Sequence, residues 1–200
     1  MKTTLTQQIL ELAGRCGAIR RNDIQDIQAS ATLLRHLVRQ GLLTRAARGV
    51  YTLPGFPVTE NHTLVEVAVR HPQAVICLLS ALQFHELGPE LPHQVWVAIP
   101  KASRQPNTTL PLRINRASGE SMTFGVETHI LEGVPVKITS RAKTVADCLK
   151  YRNKIGLNVA LEALRSFVQK LQPGDLHELH AAAKVCRVER VLKPYLEAML

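Results

Sequence analysis

Aromatic residues make up only 4% of this 200-residue chain, too few for the succession of stacking rings that single-stranded nucleic acid calls for. Cysteine is scarce too. Cys16, Cys77, Cys148 and Cys186 lie far apart with no C-x-x-C pairing, which argues against a disulfide framework or a zinc site and for small buried apolar residues in a reducing compartment. No run is long and apolar enough to span a bilayer, and Thr3, Thr4, Thr6, Gln7 and Gln8 interrupt any signal-peptide core. A cytoplasmic protein with no membrane partner is expected. Walker A, G-x-G-x-x-G and G-x-S-x-G are all missing. His177-x-x-His180, with Glu178 between, lacks the spacing of H-E-x-x-H and reads as a solvent-facing pair beside a helix start. Neither a metal nor a cofactor is expected, and no catalytic residue is assigned.

Basic charge is what the chain has in excess: 25 Lys and Arg against 16 Asp and Glu, a formal net of +9. It is unevenly spread. Residues 1–53 carry a net of +5 and residues 101–154 a net of +6, whereas residues 54–100 are at −3 and residues 155–200 at +1. Two separate basic blocks favour a polyanionic partner.

The first block has a recognisable order. Ser30 is placed to cap a short helix in which Ala31, Leu34, Leu37 and Val38 recur at helical spacing as the buried stripe. Thr32, Arg35, His36 and Arg39 form the opposite stripe. Gly41 supplies a stop, and Leu42 to Arg45 and Gly49 to Leu53 read as two strands around a tight loop carrying Arg45 and Arg48. A cationic helix followed at once by a basic hairpin suits a DNA duplex, with the helix in the major groove and the hairpin arginines on phosphates or in the minor groove. Before it come a helix over residues 3–14, ended by Gly14 and Gly17, a short strand at Ala18-Ile19 and a brief helix from Asp23 to Gln28. Three helices and a hairpin in this order make a winged helix-turn-helix.

Pro54-Gly55-Phe56-Pro57 reads as a linker. Beyond it a helix runs from Asn61 or Thr63 to Arg70, and a second is placed after Ser80 as its cap. Strands follow at Gln94 to Ile99 and Pro111 to Arg116, then a hairpin of Val126 to Leu131 and Val134 to Ile138 around Glu132-Gly133. Thr139 or Ser140 caps the next helix, two amphipathic helices come after it, and the last helical run should bend or split at Pro194. The fold class is α+β: a winged helix-turn-helix over residues 1–54, then a mixed α/β domain over residues 55–200 with a small sheet at about 94–138 and a helical end at about 140–200.

In the second basic block, Arg113, Arg116, Lys137, Arg141 and Lys143 could form a second nucleic-acid surface or simply a solvated face. Asp147, four residues after Lys143, reads as a surface ion pair. Glu127, Glu132 and Asp147 lie around the block, so a metal-dependent nuclease is conceivable, but nothing in their spacing asks for it.

The chain resembles the AbiEi family, antitoxins of bacterial toxin–antitoxin systems of the AbiE type. The most specific part is Arg39-Gln40-Gly41-Leu42-Leu43-Thr44-Arg45 through Arg48-Gly49-Val50-Tyr51, similar to the family's recognition-helix exit and wing. Ser80-Ala81-Leu82 to Leu87-Gly88, and Ser140 to Asp147, which is similar to the family's R-T-L-x-D segment, extend it. Lys143 stands where the family usually has arginine, and Gln28 where a glycine often opens the turn. The resemblance implies a repressor of its own operon that binds double-stranded promoter DNA, commonly at inverted repeats, and counters a nucleotidyltransferase toxin without requiring a stable complex. It places Thr32, Arg35, His36 and Arg39 in the groove and Arg45 and Arg48 on the backbone or in the minor groove. A lone winged-helix regulator without a toxin is the alternative.

Overall fold

The computed structural model describes residues 4–20, 22–24, 30–47, 49–55, 59–106 and 110–200. They divide into two compact units, one of residues 1–72 with 129–136 and the other of residues 73–128 with 137–200.

In the first unit, Thr4 starts helix α1 (Leu5–Cys16) through a capping box: its hydroxyl accepts from Gln7 N, and the Gln7 carboxamide accepts from Thr4 N. Two orphan backbone donors are thereby satisfied. The helix passes through Gly14 and stops at Gly17, whose N–H returns to the Ala13 carbonyl. Strand β1 (Ala18–Arg20) follows, then a 3-10 turn at Asn22–Ile24. The rest of the expected second helix, including Gln28, lies outside the described residues. Helix α2 (Ala31–Arg39) leads to β2 (Thr44–Ala47) and β3 (Val50–Thr52). The strands form a three-stranded antiparallel sheet ordered β1-β3-β2, in which Ile19 and Arg45 both face Tyr51 in register. Ile9, Ala13, Ile19, Ile24, Leu34, Leu37, Leu43 and Tyr51 close the core. Helix α3 (His62–Arg70) completes the chain segment.

From residue 73 onward the chain forms a five-stranded mixed sheet and a layer of helices. Strand β4 (Val75–Ile76) runs into helix α4 (Leu78–Phe84), then come β5 (Val95–Pro100), β6 (Leu112–Ala117), the short helix α5 (Glu120–Thr123), β7 (Val126–Leu131) and β8 (Val134–Thr139). Spatial order is β6-β5-β4-β8-β7, with β6 parallel to β5 and β8 parallel to β4. Glu132 and Gly133, both at positive φ, make the two-residue turn between β7 and β8. Helices α6 (Arg141–Lys150), α7 (Arg152–Ile155), α8 (Leu157–Gln169), α9 (Asp175–Cys186) and α10 (Glu189–Glu197) finish the chain. α6 is buried from Ala142 to Leu149. A helix buried on every side is the centre of a core, and apolar residues of α4, α8, α9 and α10 surround it.

Two sequence expectations fail here for identifiable reasons. Ser80 does not cap α4; it lies inside the helix, and its hydroxyl accepts the Trp96 N–H at 2.9 Å. The last helical run breaks at Arg187, in the left-handed region at φ 59°, and not at Pro194, which stays inside α10. The Val188 N–H returns to the Ala183 carbonyl at 2.8 Å and closes a Schellman-type end around Arg187.

Candidate nucleic-acid interface

α2 is set by three local devices. Ser30 accepts the Leu33 N–H at 3.1 Å as its N-cap. At the other end Gly41, at φ 70°, lets Leu42 N reach the Leu37 carbonyl at 3.0 Å while its own N–H returns to Val38 O at 3.1 Å. This pair of bonds is a Schellman motif, whose left-handed residue is best supplied by glycine. Between the caps, Leu34 and Leu37 are buried and Ala31 and Val38 half-buried, so the stripe on the opposite side is turned out. Thr32, Arg35, His36 and Arg39 are all exposed. The Arg35 guanidinium lies along the helix, within 3.4 Å of the Ala31 carbonyl and of the Thr32 hydroxyl. Neither Arg35 nor Arg39 meets a carboxylate among the described residues. Arg45 projects from β2 and is exposed as well; Arg48 lies outside the described residues. Nine residues at 1.5 Å rise give a rod of about 13 Å, and its diameter of about 10–12 Å with side chains matches a major groove about 12 Å wide.

The second basic block is not assembled into one face. Lys143 is only 1% exposed and Asp147 is 6% exposed, so the pair expected on the surface is inside the core. The Lys143 ammonium donates to Asp147 Oδ2, and the Cys186 thiol donates to Oδ1 at 3.2 Å. Burial pulls the lysine down more than any other single influence, but the charge and hydrogen bond of Asp147, with Cys186 and Cys77 beside it, together outweigh it and leave the ammonium raised. Burial first, and then Asp147, push the Cys186 thiol up to about 12. Arg141 is half-buried, donating to Asp175 Oδ2 at 3.1 Å and the Lys170 carbonyl at 2.8 Å with its guanidinium over Phe167. Arg113, Arg116 and Lys137 are exposed. Arg113 and Arg116 are three residues apart on β6 and point to opposite faces of the strand.

Residues 7–54 match the AbiEi antitoxin family of transcriptional regulators. The matched segment runs from α1 through β3 and contains every exposed residue of the α2 stripe together with Arg45. No curated protein matches the chain. Among solved structures, the RV2827C protein from Mycobacterium tuberculosis is similar at a TM-score of 0.53 and 12% identity, covering 98% of this chain and 82% of that one. At that identity the likeness is one of fold alone, and it extends across both units.

The remaining candidates for chemistry are dispersed. His177 and His180 are exposed on α9. Both Asp147 oxygens are taken by Lys143 and Cys186. Glu132 is engaged elsewhere, in a role its turn position in the sequence does not announce. It accepts from Thr59 N at 2.8 Å and Thr59 Oγ1 at 2.9 Å, and pairs with His62 Nδ1 at 2.8 Å. Burial works against the carboxylate, but these bonds outweigh it and hold the group below the ordinary glutamate value. No group of three or more His, Cys, Asp or Glu suited to a metal ion occurs among the described residues. No helix among them is long and apolar enough to cross a membrane.

Proposed function

We propose that this chain is a DNA-binding antitoxin that represses its own operon. In this reading residues 1–54 are a winged helix-turn-helix domain, α2 is its recognition helix and β2 with β3 its wing. The observation that carries it is the α2 stripe: Thr32, Arg35, His36 and Arg39 lie exposed on one face, with Arg45 exposed on the strand that follows. The family match over residues 7–54 supports a regulator and antitoxin. Thr32, Arg35, His36 and Arg39 read base edges in the major groove, while Arg45 and Arg48 hold the backbone or reach the minor groove. The duplex partner is the chain's own promoter, at inverted repeats. Residues 55–200 counter a nucleotidyltransferase toxin as a functional partner, with no stable complex required.

The test is binding to a duplex from immediately upstream of the gene and to an unrelated duplex of equal length, across a salt series. Preference for the upstream duplex near physiological salt is expected. Arg45→Ala with Arg48→Ala should flatten the slope of log affinity against log salt by about two units. Arg35→Ala should cost roughly 1–3 kcal/mol on the preferred site and less on other sequences. Equal binding to both duplexes that vanishes with salt would reduce the interface to bulk charge.

A further inference from the structure

The second unit carries a groove that DNA binding does not use. It has a volume of about 630 Å³ and opens along edge strand β6 beside the corner where α6 meets α7. Parallel pairing sets Trp96 opposite Arg113 and Ala98 opposite Asn115, so Trp96, Arg113 and Asn115 share one face of the sheet. The Arg113 guanidinium carbon lies 5.6 Å from the Trp96 ring centroid. Across the groove, Lys154 Nζ lies 5.2 Å from the Tyr151 ring. Arg116 fastens the rim by donating to the Lys101 and Ser103 carbonyls at 3.0 and 2.8 Å.

Asn115 decides what this groove is for. It is 7% exposed, it lines the groove, and its carboxamide makes no hydrogen bond with any described residue. The carboxamide atoms stay in contact with the open space of the groove, so its two donor hydrogens and its acceptor oxygen are available to a ligand there. The same groove is lined by two aromatic side chains, Trp96 and Tyr151, and by two cations, Arg113 and Lys154, that meet no carboxylate among the described residues. A planar heterocycle with donors and acceptors on its edge, carrying an anionic tail, fits every part of that arrangement. An acidic peptide would meet the cations but leave the rings and the amide unused.

We propose that this groove is a nucleotide-binding site. The base stacks between Trp96 and Tyr151 and turns its edge to Asn115, while the phosphates meet Arg113 and Lys154. The Arg113 guanidinium now over Trp96 is exposed and free to swing to the phosphates as the base replaces it. The ligand is one nucleotide and not a strand: two rings can stack one base, whereas a strand-binding surface repeats its rings along a track. The volume also lies in the range of small-molecule sites. Duplex DNA does not qualify, because its base faces are hidden in the stack.

Trp96 is the only tryptophan in the chain, so its emission reports this groove alone. The full-length protein is titrated with ATP, GTP, CTP and UTP, with inorganic triphosphate, and with a single-stranded octanucleotide, following Trp96 emission and heat release together. Saturable quenching by at least one nucleoside triphosphate is expected, with affinity reduced about tenfold or more in Asn115→Leu and in the exposed variant Arg113→Ala, both checked for native far-UV circular dichroism. Arg113→Ala keeps the test decisive if Asn115→Leu fails to fold. The proposal is overturned if no nucleotide binds, if inorganic triphosphate binds as tightly as the nucleotides, if folded variants bind like the unaltered chain, or if the octanucleotide binds more than about tenfold tighter than any mononucleotide.

Discussion

Lys143→Met isolates the charge in the core of the second unit. Methionine keeps most of the lysine stem, so little cavity opens; what disappears is the ammonium that neutralises Asp147. The side chains of Lys143 and Asp147 are 1% and 9% exposed, and the carboxylate is left with one thiol donor, Cys186 Sγ at 3.2 Å. Removing one partner of a buried pair costs about 3–5 kcal/mol, because the other charge stays behind unpaired. That is a large part of a domain's stability, about 5–15 kcal/mol in total. At roughly 3–5 °C per kcal/mol, the midpoint should fall by some 10–20 °C. The double variant Lys143→Met with Asp147→Leu removes both charges and should recover to about the unaltered stability or exceed it by 1–4 kcal/mol. Because the lysine is raised on folding, the contribution of the pair is complete below the ordinary lysine value of 10.5 and fades only as pH rises through the folded value, so pH 7 is a fair place to measure it. Urea and thermal unfolding at pH 7 in reducing buffer, read by circular dichroism, give the three stabilities. A single variant that loses less than about 1 kcal/mol, or a double variant no more stable than the single, would refute the buried pair.

Two further substitutions test other contacts. Glu132→Gln loses a carboxylate that accepts from Thr59 twice and pairs with His62; a loss of about 1–3 kcal/mol at pH 7 is expected. Glu132 is lowered on folding, so its contribution is present above the ordinary glutamate value of 4.5 and disappears as pH falls through the folded value. The acid limb of a stability profile between pH 5 and pH 3 should therefore flatten in Glu132→Gln, and an unchanged limb would count against the clamp. Gly125→Ala places a Cβ 2.7 Å from Lys143 Cβ at φ 59°, whereas Gly119→Ala at φ 57° meets open space. Gly125→Ala should cost about 1–3 kcal/mol from overpacking on top of its backbone strain, so a midpoint equal to that of the unaltered chain in thermal melts would show that the close approach is not rigid.

The elements most legible in the sequence are those whose causes are local. α2 is bounded by Ser30 and Gly41 and divided by the spacing of Leu34 and Leu37, all within a dozen residues. The β7–β8 turn at Glu132-Gly133 is equally self-contained. Ser80 misleads because a serine before an apolar helical run looks like a cap, while the donor that claims its hydroxyl, Trp96 N, is supplied by a strand 16 residues away. At the C-terminal run the proline is conspicuous and the real break is an arginine in a left-handed position, a conformation that carries no composition signal. Lys143 and Asp147 at i and i+4 are what a surface pair looks like, and only the helices around α6 turn them inward. The groove is beyond sequence reasoning altogether: Trp96, Asn115 and Tyr151 meet because β5 and β6 pair in one parallel register beside α7.

The segment resembling the family's R-T-L-x-D stretch is committed to folding, which bears on where partner recognition can lie. Ser140 caps α6 and donates to Glu178, and Thr144 bonds to both the hydroxyl and the carbonyl of Thr139. Arg141 ties α6 to Asp175 and Lys170, and Lys143 and Asp147 pair inside. Using these groups to hold DNA or a second protein would leave their internal partners unsatisfied, so they are ill suited to recognition. Lys143→Arg, which installs the residue the resemblance carries at that position, therefore tests packing and not binding. Lys143 Cβ and Cγ would lie 2.7 and 3.2 Å from a Cβ at Gly125, so the space beside the stem is already narrow. A planar guanidinium has to be seated beyond that stem against Asp147. We expect Lys143→Arg to lower stability by about 1–3 kcal/mol while leaving the salt dependence of duplex binding unchanged. A variant of full stability would mean that the pocket around Asp147 accepts a fork, and a steeper salt slope would mean that position 143 reaches phosphate after all.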